Sequence, residues 1–209
     1  MMDIELYGGK RGFIEHIRAR AFYALGVYGN VGDIEWSNVK RLVFVCKGNI
    51  CRSPYASVRA RSQGISAVSF GLDAAQGALA DPVASKNALL RGIDLSAHRS
   101  ERMEITRLAD GDWVIVFEPA QLEAFRRRVG EKIPANLLGI WSRPPRPHIE
   151  DPYGRSDRYF QQCFSVIDAN IAELIEHMRR YGSPAVSDLP TEIPQGSMAQ
   201  SGPCERTLV

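Results

Sequence analysis

Residues 46 to 54 read Cys46, Lys47, Gly48, Asn49, Ile50, Cys51, Arg52, Ser53, Pro54, and their types and order suit nucleophilic chemistry on an oxyanion. Gly48 and Asn49 tolerate positive φ and tight turning, and Ser53-Pro54 is a helix-start signal. The preceding run Leu42–Val45 is continuously apolar and β-branched or aromatic, as in a strand buried on both faces. Strand, tight loop and helix in that order aim loop N–H groups and a helix dipole at one point, which binds an anion. The same field holds a thiolate as well as a phosphate, and cysteines in such sites reach pKa values of roughly 3.5–7.5. Cys46 is therefore the candidate nucleophile and Arg52 the planar fork for two phosphoryl oxygens. Ser53 is placed to donate to the Cys46 sulfur when it departs. Lys47, Gly48, Asn49, Ile50 and Cys51 complete the substrate-binding loop.

Attack on a phosphate monoester expels an oxyanion, so a positioned acid is the second requirement. Asp151 is the candidate, within Ile149-Glu150-Asp151-Pro152-Tyr153-Gly154, a nonperiodic stretch that follows the proline-rich residues 144–147. Tyr153 offers an aromatic wall for a planar phenyl group, and Glu150 is the alternative acid. The same dipeptide at Asp81-Pro82 reads only as a capped helix start.

The string Cys46-x-Gly48-Asn49-x-Cys51-Arg52-Ser53-Pro54 after an apolar strand resembles the active-site signature of the low-molecular-weight protein tyrosine phosphatases. Residues 149–154 resemble that family's Asp-Pro loop, whose aspartate is acid in the first step and base in the second. The resemblance spans about residues 40 to 180. It implies a cytoplasmic hydrolase of phosphotyrosine proteins, working through a cysteinyl-phosphate intermediate with no metal and no cofactor. Ile50 resembles the tyrosine-directed members, threonine there being associated with phosphoarginine phosphatases. At family level the resemblance also implies a tyrosine kinase as partner and a role in exopolysaccharide regulation. Departures are Phe70 in the middle of the usual Ser-Ala-Gly triplet, the cation of Lys47, Tyr55-Ala56-Ser57 on the first helix, and Glu101 where an arginine usually follows His98. Two other functions compete. An arsenate reductase of the same fold would need resolving cysteines that residues 72–135 lack. A noncatalytic phosphotyrosine-binding module would have no use for Cys46, Arg52 and Asp151 together.

These groups need a scaffold. With 209 residues, 44% hydrophobic, and a net charge of +2, the chain can build one α/β domain with extensions and offers no polyelectrolyte surface for nucleic acid. Arg126–Arg128 read as a solvated helix face. The four cysteines, at 46, 51, 163 and 204, form neither a disulfide framework nor zinc spacing, which fits a reducing cytosol. Cys46 and Cys51 could close a reversible disulfide. No run reaches transmembrane length and no signal peptide is expected.

Helices are expected at 54–63, 82–90, 119–129 and 157–178, and further strands at 65–70, 113–117 and 136–141. That alternation predicts an α/β, doubly wound, four-stranded parallel sheet with helices on both faces and ligands at the carboxyl ends of the strands. His98 reads as a structural hydrogen-bonding residue and Cys163 as buried and inert. Residues 1–39 read as an extension, 40–180 as the phosphatase domain, and 181–209 as a disordered tail carrying Cys204. In the extension Phe13, Ile14, Ile17, Ala21, Phe22 and Leu25 recur at helical spacing among Arg11, Arg18 and Arg20. The favoured reading packs this stripe on the domain or on a dimer partner; the other lays a basic helix on an anionic membrane. Gly26–Asp33 reads as a turn-rich connector.

Overall fold

A computed structural model describes residues 3–28, 35–130 and 132–181. Four parallel strands, β1 (Arg41–Cys46), β2 (Ala67–Gly71), β3 (Asp112–Val116) and β4 (Ala135–Leu137), form one sheet in the order β2-β1-β3-β4. β1 is central, pairing Val45 with both Phe70 and Val116. Its alternate side chains feed two cores. Leu42 and Phe44 join Trp113 and Ile115 on one face, while Val43 and Val45 join Val114 and Val116 on the other.

The first face is covered by α2 (Arg52–Ser62), α3 (Pro82–Leu89) and α5 (Asp157–Tyr181), with the rings of Tyr55 and Phe164 stacked 3.8 Å apart. The second is covered by α4 (Pro119–Val129) through Leu122 and Phe125. The doubly wound parallel sheet expected from sequence is present. Boundaries shift as hydrogen bonding dictates. α2 starts two residues early, at Arg52, and β4 is three residues long, its remainder becoming a 3-10 turn at Leu138–Ile140. Asp81 caps α3 by accepting from the Ala84 N–H at 2.8 Å.

The extension contributes a 3-10 turn at Ile4–Tyr7 and α1 (Gly9–Ala24). Most of the apolar stripe does not meet the domain. The residues of α1 that pack inward are Gly12, His16 and Ala19, whereas Ile14 and Leu25 are 62% and 75% exposed. The physical reason is close approach: a Cβ on Gly12 would lie 1.9 Å from the Tyr7 carbonyl oxygen and 3.2 Å from Cγ of Glu150. Small residues let the helix sit tightly, and the apolar stripe is turned outward. Part of the connector, residues 29–34, and the tail with Cys204 lie outside the described residues.

Candidate active site

β1 ends at Cys46, and the chain turns through Lys47–Cys51 directly into the first turn of α2. Asn49 takes φ 53° to make that turn. Its side chain is held on three sides: the amide donates to Ser53 Oγ at 2.9 Å and Ser69 Oγ at 3.0 Å, while Oδ1 accepts from the Glu101 N–H at 2.8 Å. His98 donates from Nε2 to the Asn49 carbonyl at 2.7 Å. Burial holds His98 below the ordinary histidine range, although the Asn49 hydrogen bond works the other way, so the ring is a neutral donor at neutral pH. Asn49 is thus a brace of the loop, and His98 has the structural role its sequence context implied. The glycine of Ser69-Phe70-Gly71 is required by contact, since a Cβ there would lie 2.7 Å from the Lys47 carbonyl and 2.9 Å from the Asn49 nitrogen. Phe70 is accommodated in the second core.

Around Cys46 the donors gather. The Asn49 N–H donates to Sγ at 3.3 Å and Ser53 Oγ lies 3.0 Å from it. Among the described residues, the backbone N–H groups of Gly48, Ile50, Cys51 and Arg52 donate to no protein acceptor, which leaves them free for an anion or water. Cys51 is buried beside this loop, and burial, with Asp151 and Asp81 nearby, pushes its thiol up, so it stays protonated. Cys46, Cys51 and Cys163 are all free thiols. Cys163 lies within the core, burial pushing it up to about 12.

Arg52 is 1% exposed. Nη1 donates to the Ile149 carbonyl at 2.7 Å and to the Glu118 carboxylate, Nη2 meets Asp151 Oδ2 at 2.8 Å, and Nε has no partner. One edge of the guanidinium is therefore anchored and the other is open or held only by Asp151. Glu118 is the functional residue that sequence reasoning missed; its signal was an acid at the carboxyl end of β3, the end where ligands bind. Asp151 also accepts from the Tyr153 N–H at 3.2 Å, and Tyr153 is exposed. Leu79, 61% exposed, lies two residues before Asp81, whose N–H donates to the Ile50 carbonyl. Lys47 is exposed.

Glu150, the alternative acid, is engaged with other partners. Burial resists its ionisation, but the hydrogen bond from His148 at 2.8 Å and the guanidinium charges of Arg155 and Arg52 outweigh that and hold its carboxyl below the usual range. Its place is where the extension meets the Asp151 loop and α5: Arg155 donates to the Gly8 carbonyl and to Glu150, Tyr159 donates to the Glu150 carbonyl, and Arg158 pairs with Asp3 and Glu5. Among the described residues no cluster of His, Cys, Asp or Glu could hold a metal ion, and no helix is long and apolar enough to cross a membrane.

Comparison with known proteins agrees with this geometry. A protein of Ralstonia nicotianae named "Probable low molecular weight protein-tyrosine-phosphatase EpsP" is 28% identical over 148 residues, covering 69% of this chain and 99% of that relative. The Escherichia coli low molecular weight protein-tyrosine-phosphatase Etp is 27% identical over 144 residues, covering 66% and 95%. Among solved structures, the tyrosine phosphatase AmsI of Erwinia amylovora superposes with a TM-score of 0.63 at 25% identity, covering 72% of this chain and 97% of that one. The arginine phosphatase YwlE of Geobacillus stearothermophilus gives 0.62, also at 25% identity, covering 68% and 94%. The family model described as "Low molecular weight phosphotyrosine protein phosphatase" matches residues 41–183, and the chain belongs to that family.

Proposed function

We propose that Cys46, Arg52 and Asp151 hydrolyse phosphotyrosine in proteins through a phosphocysteine intermediate. In the first step Cys46 Sγ attacks phosphorus, the P–O bond to the tyrosyl oxygen breaks, and Asp151 gives that oxygen its proton. In the second, Asp151 takes a proton from water, the water oxygen attacks phosphorus, and the P–S bond breaks to release inorganic phosphate and the thiolate. Arg52 and the loop amides meet the charge on the equatorial oxygens, and Ser53 stabilises the departing sulfur. Phosphoryl charge is thereby met by protein donors, and chelators are expected to leave the rate unchanged.

The observation that carries this reading is the set of donors lacking a protein acceptor around one sulfur: the amides of Gly48, Ile50, Cys51 and Arg52, and the buried Arg52 Nε. The structural neighbours include both a tyrosine and an arginine phosphatase, and the apolar, branched Ile50 together with exposed Tyr153 favours a flat aromatic ring. Lys47 favours acidic residues beside the phosphotyrosine. A nucleophile that must stay reduced fits the cytoplasm.

The test is pre-steady-state turnover of aryl phosphates. Cys46→Ser should abolish turnover while vanadate still binds. Asp151→Asn should slow phosphoenzyme formation by about 10²–10⁴-fold for phenyl phosphate and far less for p-nitrophenyl phosphate. An equal loss for both leaving groups would remove the acid role. Faster hydrolysis of phosphoarginine than of phosphotyrosine peptides would reverse the substrate assignment.

A further inference from the structure

The outward face of α1 has no partner in the described chain. On a helix of about 3.6 residues per turn, Ile14, Ile17, Ala21 and Leu25 form one line opposite the packed Gly12, His16 and Ala19. Ile17 is 50% exposed and Phe22, on the edge of the stripe, 37%. An apolar line of this kind on a surface helix marks a docking face.

The charge around it selects what docks. α1 carries Lys10, Arg11, Arg18 and Arg20 against a single acid, Glu15, which is 3.6 Å from Arg18. Among the described residues Lys10, Arg11 and Arg20 make no ion pair. On one flank α1 and α4 wall a cleft of about 740 Å³, to which Arg11, Arg18 and Phe22 contribute from one side and Arg126 and Arg127 from the other. The four acids in that cleft are engaged within the protein: Glu15 with Arg18, Glu118 with Arg52, Glu123 with Arg127, and Glu150 with His148 and Arg155. A second copy of this face would set cation against cation, whereas a surface of anionic lipid headgroups over acyl chains complements both the apolar line and its basic borders.

We propose that the outer face of α1 lies on an anionic lipid bilayer, with Ile14, Ile17 and Leu25 entering the headgroup boundary and Lys10, Arg11, Arg18 and Arg20 meeting lipid phosphates. The proposal does not depend on the phosphatase reading. The experiment is sedimentation of the full-length chain with phosphatidylcholine vesicles, with and without about 30% phosphatidylserine. At low salt, binding to anionic vesicles should exceed binding to neutral ones by at least about tenfold and fall as salt rises. The double variant Ile17→Asp/Leu25→Asp should lower binding by about tenfold or more, with circular dichroism and phenyl phosphate hydrolysis unchanged. Failure of the full-length chain to sediment, or equal sedimentation of the double variant, would overturn the proposal. So would a dimer in light scattering that Ile17→Asp dissociates, because the face would then be a self-interface.

Discussion

The nucleophile loop and the N-terminal extension lie on either side of the acid loop, and they are built by opposite rules. In the loop each residue has a locally dictated place: Asn49 makes the positive-φ turn, Gly71 yields space to the Lys47 carbonyl, and Ser53 meets the sulfur. The extension is held by what it touches. Gly8 and Gly12 let Glu150 and Tyr159 come close, and Arg155 and Arg158 reach across to it. Chemistry constrains the first region and packing the second, so damage to each should register on a different measurement.

Among variants that set the two regions against each other, the largest effect should come from Arg52→Lys. A lysine loses the planar fork and leaves Glu118 without its Nη1 partner, and kcat should fall by about 10²–10³-fold in steady-state assays. Gly12→Ala is the converse. Its methyl group would meet the Tyr7 carbonyl and Glu150, costing about 1–3 kcal/mol in chemical denaturation, with kcat changed only severalfold. If kcat fell as far as in Arg52→Lys, the division would break and the extension would count as part of the acid machinery.

A smaller effect concerns pH. His16 is held from its ordinary 6.5 down to about 4, by burial first and then by the charges of Arg146 and Arg20. Between those two values the unfolded chain binds a proton that the folded chain refuses, so stability is full above pH 6.5 and declines as pH falls towards 4. Thermal melts should show a loss of several degrees across that window, at roughly 2–4 °C per kcal/mol for a chain of this size, and His16→Gln should flatten it. The smallest effect is expected from Arg155→Met, which removes one clasp from the acid loop and should lower turnover of phenyl phosphate by severalfold while leaving p-nitrophenyl phosphate nearly unaffected.

What sequence revealed followed from how local the constraint was. Cys46, Arg52 and the strand before them were legible because a turn, a helix start and an anion cradle each need particular residue types at fixed spacing. Asp151 was legible from its loop after the last strand, yet its contact with Arg52, 2.8 Å away in space and about 100 residues distant in sequence, was not. Glu118 escaped for the same reason: an acid before a proline at a helix start looks like ordinary capping until Arg52 is found against it. β4 was overextended because Leu138–Ile140 are as apolar as a strand although they turn. In α1 the periodicity marked a helix correctly but not which face meets the domain, since size and not hydropathy decided which side could approach Tyr7 and Glu150.

The contact between Asp151 and Arg52 has a kinetic consequence. One guanidinium hydrogen can serve the carboxylate or an arriving phosphoryl oxygen, but not both well. In the proposed reaction, an ester that takes this hydrogen displaces the carboxylate from its resting partner and frees it to take up the proton it must give to the breaking bond. Entry and arming become one exchange of anions, and a phosphate too small or too neutral to complete the swap would occupy the cradle without releasing the proton donor.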